Sequence, residues 1–288
     1  MRDFAQCPVC GKKNSKKYRV TSKYKLASCE YCGMIWDSST PQNLIAQYNE
    51  QYYTNENPKG GYANYFDGMV VNKKTFSDRL KKIEKRIGKG KLLDVGCALG
   101  DCLEEAKRLG WKDAEGLEVS KYAYNFAKKR GLKVKNSALK RSTYSKETFD
   151  VVLYQDVLEH IADPVDELKK VLKLLKPGGF IYLVTPDVGG WWSKLLGSLW
   201  YHYKPIEHVV YFTQRTMRFA LEKAGFKNIK TGKTYHVLSL EYIMNRLRYY
   251  SPNMFDIMLK IVKKLHMGNI LFKAFTGELE AWGQKPKK

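Results

Sequence analysis

Leu92-Leu93-Asp94-Val95-Gly96-Cys97-Ala98-Leu99-Gly100-Asp101 is an apolar run that carries one carboxylate and passes straight into a glycine-bearing turn. Glu118 closes the next apolar run, Ala114-Glu115-Gly116-Leu117-Glu118, 24 residues after Asp94. A strand that feeds such a turn and then a helix presents a nucleotide-like cofactor at the carboxyl end of a sheet. A carboxylate at the tip of the neighbouring strand can accept both hydroxyls of a ribose. The turn reads Gly96-x-x-x-Gly100, without the Gly-x-Gly-x-x-Gly that brings a pyrophosphate to a helix N-terminus, which argues against NAD or FAD. A cofactor with a ribose and an amino-acid tail, but no phosphate, fits the looser turn.

A second chemical signal lies at the start. Cys7-Pro8-Val9-Cys10 and Cys29-Glu30-Tyr31-Cys32 form Cys-x2-Cys-x18-Cys-x2-Cys, within zinc-ribbon spacing. Each pair can set two thiolates about 2.3 Å from one tetrahedral ion. Two disulfides are the rival arrangement, and a reducing compartment would hold them open. With Cys7, Cys10, Cys29 and Cys32 as ligands and no open position, a Zn2+ ion is expected to be structural.

The elements that must position these groups follow from hydrophobic period. Tyr18-Arg19-Val20 and Leu26-Ala27-Ser28 read as short strands joining the cysteine turns. Residues 41–88 read as a helical connector, in which Phe76, Leu80, Ile83 and Ile87 recur at helical spacing among lysines, and Gly88-Lys89-Gly90 ends the helix. From residue 91, strand and helix alternate, which argues for a parallel sheet. Strands are predicted near 91–95, 114–118, 133–135, 149–154, 180–185 and 277–283, and helices near 101–109, 120–130, 164–175 and 214–224. Lys176-Pro177-Gly178-Gly179 reads as a sharp turn into the fifth strand.

Composition bounds the rest. A chain of 288 residues with 44% hydrophobic content supports a large domain plus a small appendage. No apolar run approaches a membrane span, and Met1-Arg2-Asp3-Phe4 lacks a signal peptide's apolar region, so a cytoplasmic location is expected. The net charge of +22 favours an acidic partner such as RNA, a phosphorylated substrate or anionic lipid. The excess is carried by forty Lys against eleven Arg, and scattered lysine equally suits solubility.

In order along the chain, several blocks resemble the class I S-adenosylmethionine (SAM)-dependent methyltransferases, nearest to the branch of ubiquinone-biosynthesis O-methyltransferases and sugar methyltransferases. They are Leu93 to Gly100, Phe149 to Pro164, Leu175-Lys176-Pro177-Gly178-Gly179, Glu207 to Thr213 and Ala224-Gly225-Phe226. The resemblance implies an α/β fold: a Rossmann-like, seven-stranded, mostly parallel sheet with helices on both faces, beside the small N-terminal ribbon. With the residue patterns on either side of it, the chain is expected to divide into the ribbon (1–40), the connector (41–88) and a methyltransferase domain (89–288), with a lid over 187–205 and a C-terminal helical region over 237–275. The resemblance itself covers about residues 90–230. It further implies that Asp94 binds the SAM amino group, that Gly96 and Gly100 let the backbone approach, and that Glu118 holds the ribose. Ser137, Ala138 and Leu139 would lie beside the adenine, with Gln155 and Asp156 at the methionine end. The family's middle glycine is Ala98 here.

Methyl transfer to a hydroxyl or carbon acid needs a base. His208 is the leading candidate, with Glu207 beside it and Tyr211 on the same segment; pinning a loop over the cofactor is the structural alternative. In helical form, Asp156-x-x-Glu159-His160 would share one face and could hold a divalent ion, as in a motif of the ubiquinone enzymes, with packing and helix capping as the alternative. Apolar residues at 191, 192, 195, 196, 199 and 200 form a helical stripe suited to a core helix or an aromatic lid. The basic amphipathic stretch from Met254 to Phe275 is expected to pack on the sheet or form a dimer contact, with an anionic membrane as the alternative. The expected acceptor is a small molecule: a glycan, a lipid-linked intermediate or a quinone-like ring, methylated at oxygen or carbon. An RNA methyltransferase gripping its substrate through the ribbon and lysines is the alternative, although Tyr154-Gln155-Asp156-Val157 lacks the Pro-Pro-Tyr pattern of many base amino-methylating enzymes. A non-catalytic scaffold on the same fold is the third reading.

Overall fold

The computed structural model describes residues 6–20, 25–39, 48–54, 65–204, 207–248 and 251–287. Met1-Arg2-Asp3-Phe4, residues 41–47 and 55–64 of the expected connector, and residue 205 of the expected lid lie outside the described residues.

Strands β1 (Ser15–Val20), β2 (Lys25–Cys29) and β3 (Ile35–Asp37) form an antiparallel meander, with one Cys-x-x-Cys turn before β1 and the other between β2 and β3. Helices α1 (Glu50–Thr54) and α2 (Met69–Ile87) follow. As their spacing predicts, Leu80 and Ile83 of α2 are buried, and the helix stops at Gly88, whose φ of +74° favours glycine.

Strands and helices then alternate as β4 (Leu92–Val95), α3 (Asp101–Arg108), β5 (Ala114–Glu118), α4 (Lys121–Lys129), β6 (Val134–Asn136), β7 (Phe149–Gln155), α5 (Pro164–Leu174) and β8 (Leu175–Pro186). Successive side chains on a strand face opposite ways, so two apolar layers form. Leu92, Val151 and Leu153 meet α2 and α3, whereas Leu93 and Val152 share the other layer with Leu168 of α5 and Met217 and Leu221 farther on. Lys176-Pro177-Gly178-Gly179 is not a turn before a strand. It is a bulge inside the long β8, where Leu175 pairs with Phe149 but Phe180 already pairs with Val151.

The remaining elements are α6 (Trp191–Leu196), β9 (Val210–Tyr211), α7 (Gln214–Ala224), β10 (Lys227–Lys233), β11 (His236–Ser239), α8 (Leu240–Leu247), α9 (Pro252–Lys264), β12 (Leu271–Ala274) and β13 (Glu278–Gln284). Helix α7 has the residues its predicted bounds require: Thr213 and Thr216 cap each other's backbone N–H groups, and Gly225 ends the helix at a φ of +103°. The large sheet runs β10-β13-β8-β7-β4-β5-β6, with β13 antiparallel to both neighbours. This is the seven-stranded, mostly parallel α/β sheet with helices on both faces. Strand order reverses at β4, which lies between β5 and β7, and a crevice opens at the carboxyl ends of these strands.

Three features depart from the sequence reading. Strand β9 pairs with β3, so the cysteine-rich sheet is a four-stranded unit whose last strand belongs to the segment after His208. The C-terminal region holds a two-stranded antiparallel sheet, β11–β12, whose strands enclose α8 and α9 in the sequence. Helix α9 does not pack into the sheet, and none of its residues is buried.

Candidate functional site

A cavity of about 830 Å³ lies at the carboxyl ends of β4, β5 and β7. At one end stands Asp94, 3% exposed, whose carboxyl burial pushes up to about 7 against hydrogen bonds from Cys102 and Gln155. Glu118, at the tip of β5, accepts the N–H of Ala98 at 2.8 Å and of Ser120 at 2.7 Å, and burial raises its carboxyl as well. Two backbone bonds leave this carboxylate further lone pairs toward the cavity. Gly96 lines the cavity at a φ of +73°, and a Cβ there would stand 2.5 Å from Cγ2 of Val157. Ala98 also lines it, and its φ is +48°, a left-handed conformation costly for a residue with a Cβ.

Ser137, Ala138 and Leu139 form the adjoining wall, and Gln155 and Asp156 carry it deeper. Gly100 is elsewhere. Its φ is +89°, and a Cβ there would stand 2.4 Å from the side chain of Leu132, so packing rather than approach to a ligand demands glycine.

The deep end is polar. His208 is buried on this wall, and its Nδ1 donates to the carbonyl of His202 at 2.9 Å. Nε2 of the neutral ring therefore carries the lone pair. Burial, with His160 and Lys204 nearby, depresses the His208 pKa well below its usual value, so the ring is neutral at pH 7. His160 repeats the pattern: Nδ1 donates to the Glu207 carbonyl at 2.7 Å, and burial lowers its pKa to about 4. Glu159 accepts from the Thr185 hydroxyl at 2.9 Å, and burial and then Asp156 raise its carboxyl. Glu207 lines the cavity with an oxygen 3.6 Å from Nζ of Lys204.

Two expectations need correction here. Asp156, Glu159 and His160 do not share a helix face, because residues 158–160 form a single 3-10 turn and Asp156 precedes it at a φ of +56°. His208 takes its place: ligand atoms of Glu159, His160 and His208 lie within 4.8 Å of one another. Tyr211 does not line the cavity. It is buried in β9, paired with Ile35, with its ring centroid 6.1 Å from that of His208.

The aromatic side chains of Tyr48, Tyr52, Tyr53, Trp192 and Trp200 also line the cavity, together with Leu196. The predicted lid stripe divides in two, for Trp191, Leu195 and Leu199 are exposed. Away from the cavity, the four N-terminal Sγ atoms lie within 4.8 Å of one another, with Cys7–Cys32 and Cys10–Cys29 each 3.5 Å apart.

Residues 71–231 match the family described as Methyltransferase domain. The chain belongs to this family. A ubiquinone biosynthesis O-methyltransferase of Aliivibrio fischeri is 32% identical over 102 residues, which cover 33% of this chain and 43% of that protein. This chain thus spans less than half the length of that relative. A SAM-dependent methyltransferase from Archaeoglobus fulgidus shares the fold with a TM-score of 0.53 at 19% identity, over 77% of this chain and 99% of that one. A phosphoethanolamine N-methyltransferase 2 of Haemonchus contortus, solved with S-adenosyl-L-methionine, also has a TM-score of 0.53, at 16% identity over 84% of this chain and 57% of that one.

The methyltransferase-domain cavity also contains residues that sequence reasoning missed. Arg79 of α2 donates to Oε1 of Gln155 at 3.0 Å and lies 3.8 Å from Glu278. Glu278 bonds His236; burial opposes its ionisation, but His236 and Arg79 hold its carboxyl at about 2. One signal was available. Arg79 lies three residues after Phe76 and four before Ile83, a charged residue within the apolar stripe of α2.

Proposed function

We propose that this chain transfers the methyl group of S-adenosylmethionine to an oxygen or carbon of a small molecule. The observation that carries this reading is one continuous cavity from the Asp94–Glu118 end to the His208–Glu207 wall. The first end fits the cofactor chemically. Burial, and then the Glu118 charge, raise the pKa of the Asp94 carboxyl, and the amino group and sulfonium of the cofactor would supply the opposing charge. Glu118 would take the ribose hydroxyls on its remaining lone pairs, and Ala138 and Leu139 would flank the base.

When bound, S-adenosylmethionine supplies an already electrophilic methyl group, so the protein's task is alignment and proton removal. Nε2 of neutral His208 accepts the proton of the acceptor's hydroxyl or acidic C–H, and the Nδ1–His202 carbonyl bond holds the ring for it. Glu207, beside Lys204, polarises the same wall. The aromatic and aliphatic lining supports a small, partly apolar acceptor (glycan, lipid-linked intermediate or quinone-like ring) over an RNA strand.

The four cysteines are proposed to hold a structural Zn2+. Tetrahedral thiolates at about 2.3 Å from an ion stand about 3.8 Å apart, close to the separations found. The hydrogen bond between Cys7 and Cys32 lowers the Cys7 thiol to about 5 and raises that of Cys32, so without an ion the pair shares a proton that metal binding would displace.

Calorimetric titration of the metal-replete chain with SAM, and separately with NADH, tests the proposal. Micromolar SAM binding that is lost in Asp94→Ala and Glu118→Ala, with no NADH binding, is the expected result. A chain that binds no SAM overturns the methyltransferase reading in favour of a non-catalytic scaffold.

A further inference from the structure

Among the described residues, α9 alone of the α-helices buries no side chain. Met254, Ile257, Met258, Ile261 and Leu265 recur along it at helical spacing and are 49, 61, 39, 52 and 60% exposed. They form one exposed ridge, and the half-buried Phe255, Leu259 and Val262 lie on the neighbouring stripe, about 100° round the helix. Met267, Ile270 and Leu271, which follow the helix in the chain, are exposed as well. An exposed apolar ridge is unusual on a water-facing side and marks a contact with another phase or molecule.

Charge selects the occupant. Lys260 and Lys264 are exposed on the stripe beside the ridge, whereas Lys263 is bonded to Glu241 at 2.9 Å and Lys273 to Asp78 at 2.8 Å. An apolar ridge rimmed by lysine is the pattern of a helix lying in the plane of an anionic bilayer surface. A second copy of a chain with net charge +22 would be repelled from the same face. Helix α8, against which α9 packs, lines the cavity with Tyr242, Ile243, Arg246 and Leu247. The ridge and the acceptor wall are thus two sides of one helical pair.

We infer that α9 docks in the surface of an anionic membrane, and that the acceptor is an amphiphile that reaches the cavity along α8 from that surface. The second half of this inference rests on the methyltransferase reading; the docking itself does not.

The test is flotation of the full chain with vesicles of phosphatidylglycerol and phosphatidylcholine, against vesicles of phosphatidylcholine alone. The chain is expected to float with the anionic vesicles only. The double variant Ile257→Ser/Ile261→Ser should lose at least tenfold in partitioning, and Lys260→Gln/Lys264→Gln should lose several-fold with a weaker salt dependence. SAM titration of the same variants reports separately on the fold and the cofactor site, so wild-type chain that floats but binds no SAM defeats the methyltransferase reading and leaves docking intact. Wild-type chain that stays in solution with both vesicles overturns docking. So does a double variant that floats like wild type, or a wild-type dimer in sedimentation velocity that the double variant abolishes while neither floats.

Discussion

Ile35, three residues after the last ribbon cysteine, pairs with Tyr211, three residues after His208. The next rung joins Trp36 to Val210, and the N–H of Asp37 donates to the carbonyl of Val209 at 3.0 Å. The cysteine-rich sheet and the segment carrying the proposed base are therefore one hydrogen-bonded unit. What holds the four cysteine sulfurs together also holds the strand that follows His208.

Loss of the proposed ribbon metal should therefore be felt in the cavity. Cys29→Ser, or prolonged chelation, is expected to cost ~3 kcal/mol or more and to lower turnover along with the melting temperature. Thermal unfolding with and without chelator checks this, combined with thiol titration that finds four of the six cysteines newly reactive. An unchanged melting temperature and thiol count would show that no metal was held.

His208→Asn should lower kcat on the order of 10²- to 10⁴-fold while SAM affinity stays within about twofold. The His208 pKa is depressed, so the neutral base persists as pH falls and wild-type kcat should show no acid limb between pH 8 and 6.5 from this group. A variant whose SAM affinity collapses in parallel with kcat would make His208 a loop pin instead.

The pH dependence of cofactor binding follows from Asp94. With its carboxyl at about 7 in the free protein and about 4 when unfolded, the folded chain binds more protons between these values. This group's contribution to the free protein's stability therefore falls as pH rises through that window. A cationic ligand requires the carboxylate, so SAM affinity should drop about tenfold for each pH unit below 7. Asp94→Asn should bind at least tenfold more weakly and lose this slope, as calorimetry at pH 6, 7 and 8 will read.

Ala98→Gly should stabilise the chain by about 0.5–1 kcal/mol, since it removes a left-handed alanine at some entropic expense. Gly96→Ala should do the reverse by ~2 kcal/mol or more, because its φ is +73° and its new methyl would meet Val157. Urea unfolding of both variants measures the pair.

Local signals made much of the fold legible. Leu92–Val95 and Ala114–Glu118 are apolar runs bounded by turn residues, and Gln214–Ala224 has a threonine cap at one end and glycine at the other. Strand β10, Lys227-Asn228-Ile229-Lys230-Thr231-Gly232-Lys233, was not legible because an edge strand needs little apolar surface, and its pairing comes from β13. Two-residue β9 is too short to show any period and exists only because β3 lies alongside. At Asp156 the motif spacing predicted a helix face, but the chain turns there at a positive φ that no periodicity records.

By itself the sequence determined the glycine turn with its two carboxylates, the gathering of cysteines in pairs, and the alternation that builds a parallel sheet. These depend on neighbours within a few residues, where backbone preference and hydrophobic period act. Only the tertiary structure decided that His208 faces Glu159 and His160, that Arg79 reaches Gln155, that Tyr211 stands behind the wall, and that α9 presents its ridge outward. The named pairs lie from 48 to 76 residues apart, and such relations are set by how packed layers meet, a quantity with no local signature in the chain.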